Sequence, residues 1–127
     1  MEQTALFKEI IATYRKFDWK LKRVLLSARS GAELSEPRET LFGAAEVRES
    51  APVDALWFAR PSPPKREAWE LRLVSASPFA LFETFEEDEP EGEREELRRE
   101  LEAQLIERVT VGGSPQFEVD GDNEDQN

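Results

Sequence analysis

The stretch Asp54-Ala55-Leu56-Trp57-Phe58-Ala59-Arg60-Pro61-Ser62-Pro63-Pro64-Lys65-Arg66-Glu67-Ala68-Trp69-Glu70-Leu71-Arg72-Leu73-Val74-Ser75-Ala76-Ser77-Pro78-Phe79-Ala80-Leu81-Phe82-Glu83-Thr84-Phe85-Glu86 decides how this chain folds. It holds three strand-like runs, residues 54–60, 67–75 and 79–86, parted by Pro61-Ser62-Pro63-Pro64-Lys65 and by Ala76-Ser77-Pro78. Connections this short join antiparallel neighbours, because a parallel return needs a crossover of a dozen residues or more. The expectation is a three-stranded meander. In its middle strand Trp69, Leu71 and Leu73 alternate with Glu70 and Arg72, the period of a strand with one face in a core and one in water. In the third run either Leu81 with Phe85 or Phe82 faces the core, and the register stays open.

Upstream, Leu6, Phe7, Ile10, Ile11, Tyr14 and Phe17 recur at spacings of three and four, which predicts a helix with one apolar stripe, capped by Thr4. The period then changes over residues 18–26. Trp19, Leu21 and Leu25 fall on one side and Lys20 and Lys22 on the other, with Arg23 and Val24-Leu25-Leu26 blurring the alternation as a bulge or two-sided burial would. Residues 27–53 read as a mixed connection punctuated by Pro37. Downstream, Glu86-Glu87-Asp88-Glu89-Pro90-Glu91 opens a final helix, since proline suits a first turn and carboxylates suit the positive end of the helix dipole. Leu97, Leu101, Leu105, Ile106 and Val109 form its stripe, and Glu95 sits four residues before Arg99 as an attractive pair. The fold class is therefore α+β: the N-terminal and C-terminal helices pack on one face of an antiparallel sheet of four or five strands. Residues 1–110 make one domain, and residues 111–127 an acidic tail with too little to bury for order.

Composition narrows the chemistry. The 127 residues contain no cysteine and no histidine, which removes thiolate nucleophiles, disulfides, Ser-His-Asp arrangements and imidazole metal ligands. Lys and Arg number 17 against 28 Asp and Glu, a net charge of −11 that repels phosphate backbones and anionic lipid. Neither nucleic acid nor membrane is expected as a partner. No run approaches the roughly 20 apolar residues that cross a bilayer, and the start Met1-Glu2-Gln3-Thr4 lacks a secretory pattern, so a cytoplasmic protein is expected. Charge is polarised: residues 1–30 hold seven cations and three anions, so mutual attraction of a basic start and an acidic end is the simplest use of it.

Acidic clusters raise the question of metal. Glu86 to Glu96 has no glycine where a calcium loop needs its turn, and Asp120-Gly121-Asp122-Asn123-Glu124-Asp125 matches such a loop in composition only. No metal and no cofactor is expected. Glu67, Glu70 and Glu83 lie on strands and would suit carboxylate catalysis, yet they also suit ordinary cross-strand pairing, for example with Arg72. The most suggestive feature is the wet sheet face, where Lys20, Lys22, Phe58, Arg72 and Phe82 are expected together with Glu70, aromatics amid cations as partner surfaces use them. A second layer from residues 27–53 over that face would bury the same aromatics.

The meander followed by an amphipathic helix resembles the closing part of pleckstrin-homology-like domains over residues 54–109. In size, charge and partial element order the chain is also similar to the chaperones of bacterial type III secretion. Neither likeness carries a functional residue across. The expected function is a non-catalytic protein-interaction module, chaperone-like or self-associating among its modes. The alternative is a small-molecule binder or carboxylate enzyme with a pocket between sheet and helices, lined by Trp19, Trp57 and Trp69.

Overall fold

The computed structural model describes residues 3–111, in the order α1 (Gln3–Lys16), β1 (Lys20–Leu25), α2 (Ala28–Glu33), α3 (Arg38–Phe42), β2 (Glu46–Arg48), β3 (Ala55–Ser62), β4 (Arg66–Leu73), β5 (Ala80–Glu86) and α4 (Glu91–Val111). The tail expected beyond α4 lies outside the described residues. β3, β4 and β5 are the meander, with Trp57 opposite Leu71 and Leu71 opposite Leu81. That register answers the question left open by the third run: Leu81 and Phe85 share the face of Trp57, and Phe82 points the other way.

The sheet has five strands in the order β2-β1-β3-β4-β5, and it is mixed, because β1 and β2 run parallel. The purely antiparallel expectation fails at residues 27–53. There two short helices carry the chain back over one face, the crossover that a parallel pair requires. Ser27 caps the first of them by accepting the Ser30 N–H at 3.1 Å, and the Asp54 carboxylate accepts from Ser27 N at 2.7 Å and Ser30 Oγ at 2.5 Å. These polar links tie the crossover to the start of β3.

The helices do not share a face. Phe7, Ile10 and Ile11 of α1 cluster with Val24, Leu26, Leu41, Phe42, Leu56, Phe58 and Val74, whereas Leu101 and Leu105 of α4 cluster with Leu25, Ala55, Trp57, Trp69, Leu71 and Phe85. The reason lies in β3. Its run Ala55-Leu56-Trp57-Phe58-Ala59 is buried throughout, so consecutive side chains on opposite faces both need a cover. One helix layer satisfies each face.

A register shift between Leu21 and Arg23 breaks the alternation of β1. Leu21 therefore lies beside Phe58 on the α1 face, while Arg23 and Leu25 lie beside Trp57 and Ala55 on the α4 face, rather than Leu21 and Leu25 together. Two further details differ from expectation. Thr4 is buried within α1, and its hydroxyl accepts the Ser35 N–H at 3.0 Å instead of capping the helix. Phe17 falls just after α1 and is 61% exposed, outside the stripe it was expected to extend.

Candidate functional site

The wet positions expected to gather on one face do so in part. Phe58, Glu70 and Phe82 are neighbours across β3, β4 and β5, with Arg72 two residues along β4 from Glu70. Phe58 is nevertheless fully buried, because the Tyr14 ring of α1 stacks on it at 4.0 Å between centroids and 10° between planes. The Tyr14 hydroxyl donates to Glu70 Oε2, which closes that side of the cover. Burial, and then the neighbouring Glu70 carboxylate, push this hydroxyl well above the ordinary tyrosine range. It is a structural donor, not a proton carrier near neutral pH.

Beyond Tyr14 the cover ends. On β4, Glu70 meets Tyr14, Arg72 lines a groove with α1 and Ala68 is buried, whereas Phe82 on the same face of β5 is 57% exposed. Two grooves border this face. One, of about 320 Å³, runs between α1 and the end of β4, with Leu6, Glu9, Ile10, Thr13, Tyr14 and Arg72 among its lining. The other, of about 570 Å³, brings Phe82 beside Ala68, Arg60, Pro61 and Asp18. Arg72 has few acceptors here: Nη2 makes only a 3.5 Å contact to the Ser75 carbonyl, and the buried Nε has no partner among the described residues.

Lys20 and Lys22 are not part of this face. Lys20 pairs with Ala59 and so belongs to the opposite face, and Lys22 sits at the β1 register shift; both line a separate groove with Arg15 and Trp19. The bulge is the cause, and only the blurred alternation around Arg23 hinted at it.

Of the carboxylates weighed for catalysis, Glu67 and Glu70 are engaged elsewhere, and Glu83 lies opposite Trp69 on the other face from Glu70. Glu67 accepts the Trp69 indole N–H at 2.8 Å and Arg94 Nη1 at 3.3 Å, and Glu70 accepts Tyr14. A groove of about 490 Å³ does border Glu67, but its Arg94 is already bonded to the carbonyls of Glu86, Glu87 and Glu89. The three tryptophans line no common cavity: Trp57 and Trp69 pack edge to face on the α4 side, and Trp19 packs on the α1 side. Among the described residues, no group of three acidic side chains is arranged to hold a metal ion, and no helix is long and apolar enough to cross a membrane.

Sequence reasoning missed a buried ionic cluster beneath α4. Arg23, 8% exposed, donates to Glu46 at 3.0 Å, Glu95 at 2.8 Å and Glu102 at 2.9 Å, and Glu102 also accepts the Trp57 indole at 2.7 Å. Burial alone would lower the affinity of Arg23 for its proton, but the hydrogen bonds it donates to Glu95, Glu102 and Glu46 outweigh this and raise the pKa. Glu95 shows the mirror effect: desolvation works upward, and Arg23, Arg99 and Arg98 together hold its carboxyl at about 2. Arg98 is buried too, its guanidinium lying 4.4 Å from the Trp69 ring centroid. The legible signal was positional, since Arg98 and Glu102 fall on the same helix side as Leu101 and Leu105. Every carboxylate here is neutralised by guanidinium, so the cluster fastens α4 to the sheet.

Comparison with family models, with curated proteins and with solved structures finds no match.

Proposed function

We propose that this protein is a non-catalytic interaction module that receives an amphipathic helix of a partner protein on the face of β4 and β5 around Phe82. The observation that carries the reading is Phe82, a large aromatic 57% exposed in the middle of a strand, with small neighbours Ala80 and Thr84 on its own face. Exposed aromatics of this kind, ringed by polar groups, supply most of the energy of partner binding. Size supports a helix as the occupant. Two strands at about 4.8 Å spacing leave a gap near 10 Å wide, and a helix with its side chains is about 10 Å across. Tyr14, Thr13 and Leu6 of α1 would form one wall, and an acidic residue on the partner would pair with the Arg72 Nη2, which holds only a 3.5 Å contact to the Ser75 carbonyl.

The test is a binding measurement. A protein retained by the native chain from extract is identified, its binding segment is made as a peptide, and affinity is measured by calorimetry for the native chain, Phe82→Ala, Arg72→Ala and the control Phe17→Ala. The reading requires a loss of about tenfold or more for Phe82→Ala, equal to about 1.4 kcal/mol, with Phe17→Ala unchanged. Equal affinities for native chain and Phe82→Ala would refute it, as would a dimer in light scattering that Phe82→Ala dissolves, which would make a second copy the occupant.

A further inference from the structure

Four of the seven cations in residues 1–30 have no anionic partner among the described residues. Arg23 meets Glu46, Glu95 and Glu102, Lys8 meets Glu36 at 2.7 Å and Arg29 meets Glu33 at 3.4 Å. Arg15, Lys16, Lys20 and Lys22 make no such pair, although the chain as a whole is strongly acidic. Three of them converge. Arg15, Lys20 and Lys22 line a groove of about 630 Å³ whose floor includes Trp19, Leu21 and Phe42 and whose far wall is the backbone turn Gly43-Ala44-Ala45. Asp18 is the single acidic residue lining it. The groove thus brings three cations together around apolar residues, on a molecule that pairs most of its other arginines with glutamates.

We infer that this groove is the docking site of the chain's own acidic segment, residues 120–125. Charge complementarity argues for it. The segment Asp120-Gly121-Asp122-Asn123-Glu124-Asp125 carries four carboxylates and no cation, matching the unpaired rim. Reach allows it. The described chain ends at Val111, near where Arg108 of α4 lies over the Phe79 ring at 3.9 Å, at the sheet end opposite Lys20. A strand length near 20 Å for the six residues of β1 and about 15 Å across three strand spacings make a diagonal of about 25 Å, with a further turn round the sheet to the α1 side, and at 3.3 Å per residue Asp120 and Asp125 can extend about 30 and about 46 Å. A tether this short also keeps the segment at millimolar effective concentration, so individually weak surface pairs suffice.

The experiment compares amide spectra of the full ¹⁵N-labelled chain with those of a variant carrying Asp120→Asn, Asp122→Asn, Glu124→Gln and Asp125→Asn, at about 50 mM and about 500 mM salt. None of these positions belongs to the described fold, so folding is not at risk. The expected result is a set of shift changes concentrated at residues 18–22 and 43–45, lost at high salt, and independent of protein concentration. Zero-length carbodiimide cross-linking then joins Lys20 or Lys22 to residues 120–125 in preference to Lys8 or Lys65. Unchanged signals at residues 18–22 and 43–45, or cross-links spread evenly over all lysines, would overturn the assignment. Shift changes that grow with protein concentration would overturn it as well, because the segment would then bind another copy.

Discussion

Replacing Arg23 by methionine keeps most of the side-chain length and removes its charge, and three carboxylates then lose a donor. The losses are unequal. Glu46 is half in solvent and keeps Arg48 at 3.0 Å, and Glu95 keeps Arg48, Arg98 and Arg99. Glu102 is buried and retains only the Trp57 indole at 2.7 Å and Arg48 at 3.9 Å. The cost therefore concentrates on one stranded carboxylate, and removing one member of a buried pair costs about 3–5 kcal/mol. With a urea m value of about 1–3 kcal/mol/M, the unfolding midpoint falls by roughly 2 M. Tryptophan fluorescence reports it directly, because Trp57 is fully buried against the cluster. Adding Glu102→Gln removes the stranded charge and leaves a carbonyl for the Trp57 N–H, so the double variant regains at least about 1 kcal/mol over Arg23→Met. A single-variant cost under about 1 kcal/mol, or a double variant weaker than the single, refutes the view that a buried charge dominates this cluster.

The remaining predictions concern protons and backbone. Because Glu95 is held at about 2 in the folded chain against 4.5 for a free carboxyl, it stabilises the fold fully above pH 4.5 and loses that contribution as pH falls toward 2; urea titrations at stepped pH show this slope, and Glu95→Gln flattens it. Tyr14 is the only tyrosine, and its folded pKa is raised by burial and by Glu70, so its contribution is complete below pH 10 and is lost as pH rises beyond 10. Absorbance near 295 nm accordingly reports tyrosinate only when the chain unfolds, and Tyr14→Phe, which keeps the ring stack on Phe58, costs about 1.5–3 kcal/mol for the lost bond to a carboxylate. Gly43 has φ 61° and ψ −132°, a conformation closed to side chains, although nothing lies within 4 Å of an added Cβ; Gly43→Ala costs about 1–3 kcal/mol from backbone strain alone, read from the urea midpoint.

Much of the scaffold was legible in the residues. Short proline-bearing connections specified the meander, the stripe of Phe7, Ile10 and Ile11 specified α1, and the leucines at 97, 101 and 105 specified α4, because local period and turn chemistry are properties of the chain itself. The mixed sheet was not legible, since β2 has three residues and draws its order from pairing beside β1. The candidate surface was half legible. Glu70, Arg72 and Phe82 share a face by alternation, but whether Phe58 beside them is bare depends on where a helix from another part of the chain comes to rest.

The amino-acid sequence alone determined the types of α1, β1, β3, β4, β5 and α4, the absence of imidazole and thiol, and a β3 strand apolar at every position from Ala55 to Ala59. Tertiary structure decided which helix covers which face, how the β1 bulge sends Lys20 and Lys22 away from Phe82, and that Arg23 finds its partners 72 and 79 residues later in the chain. Hydrophobic stripes are interchangeable as covers, because apolar burial has no direction. Bulges and buried ion pairs are not interchangeable, because hydrogen-bond geometry fixes one partner for each donor, and that partner is chosen only when distant segments meet.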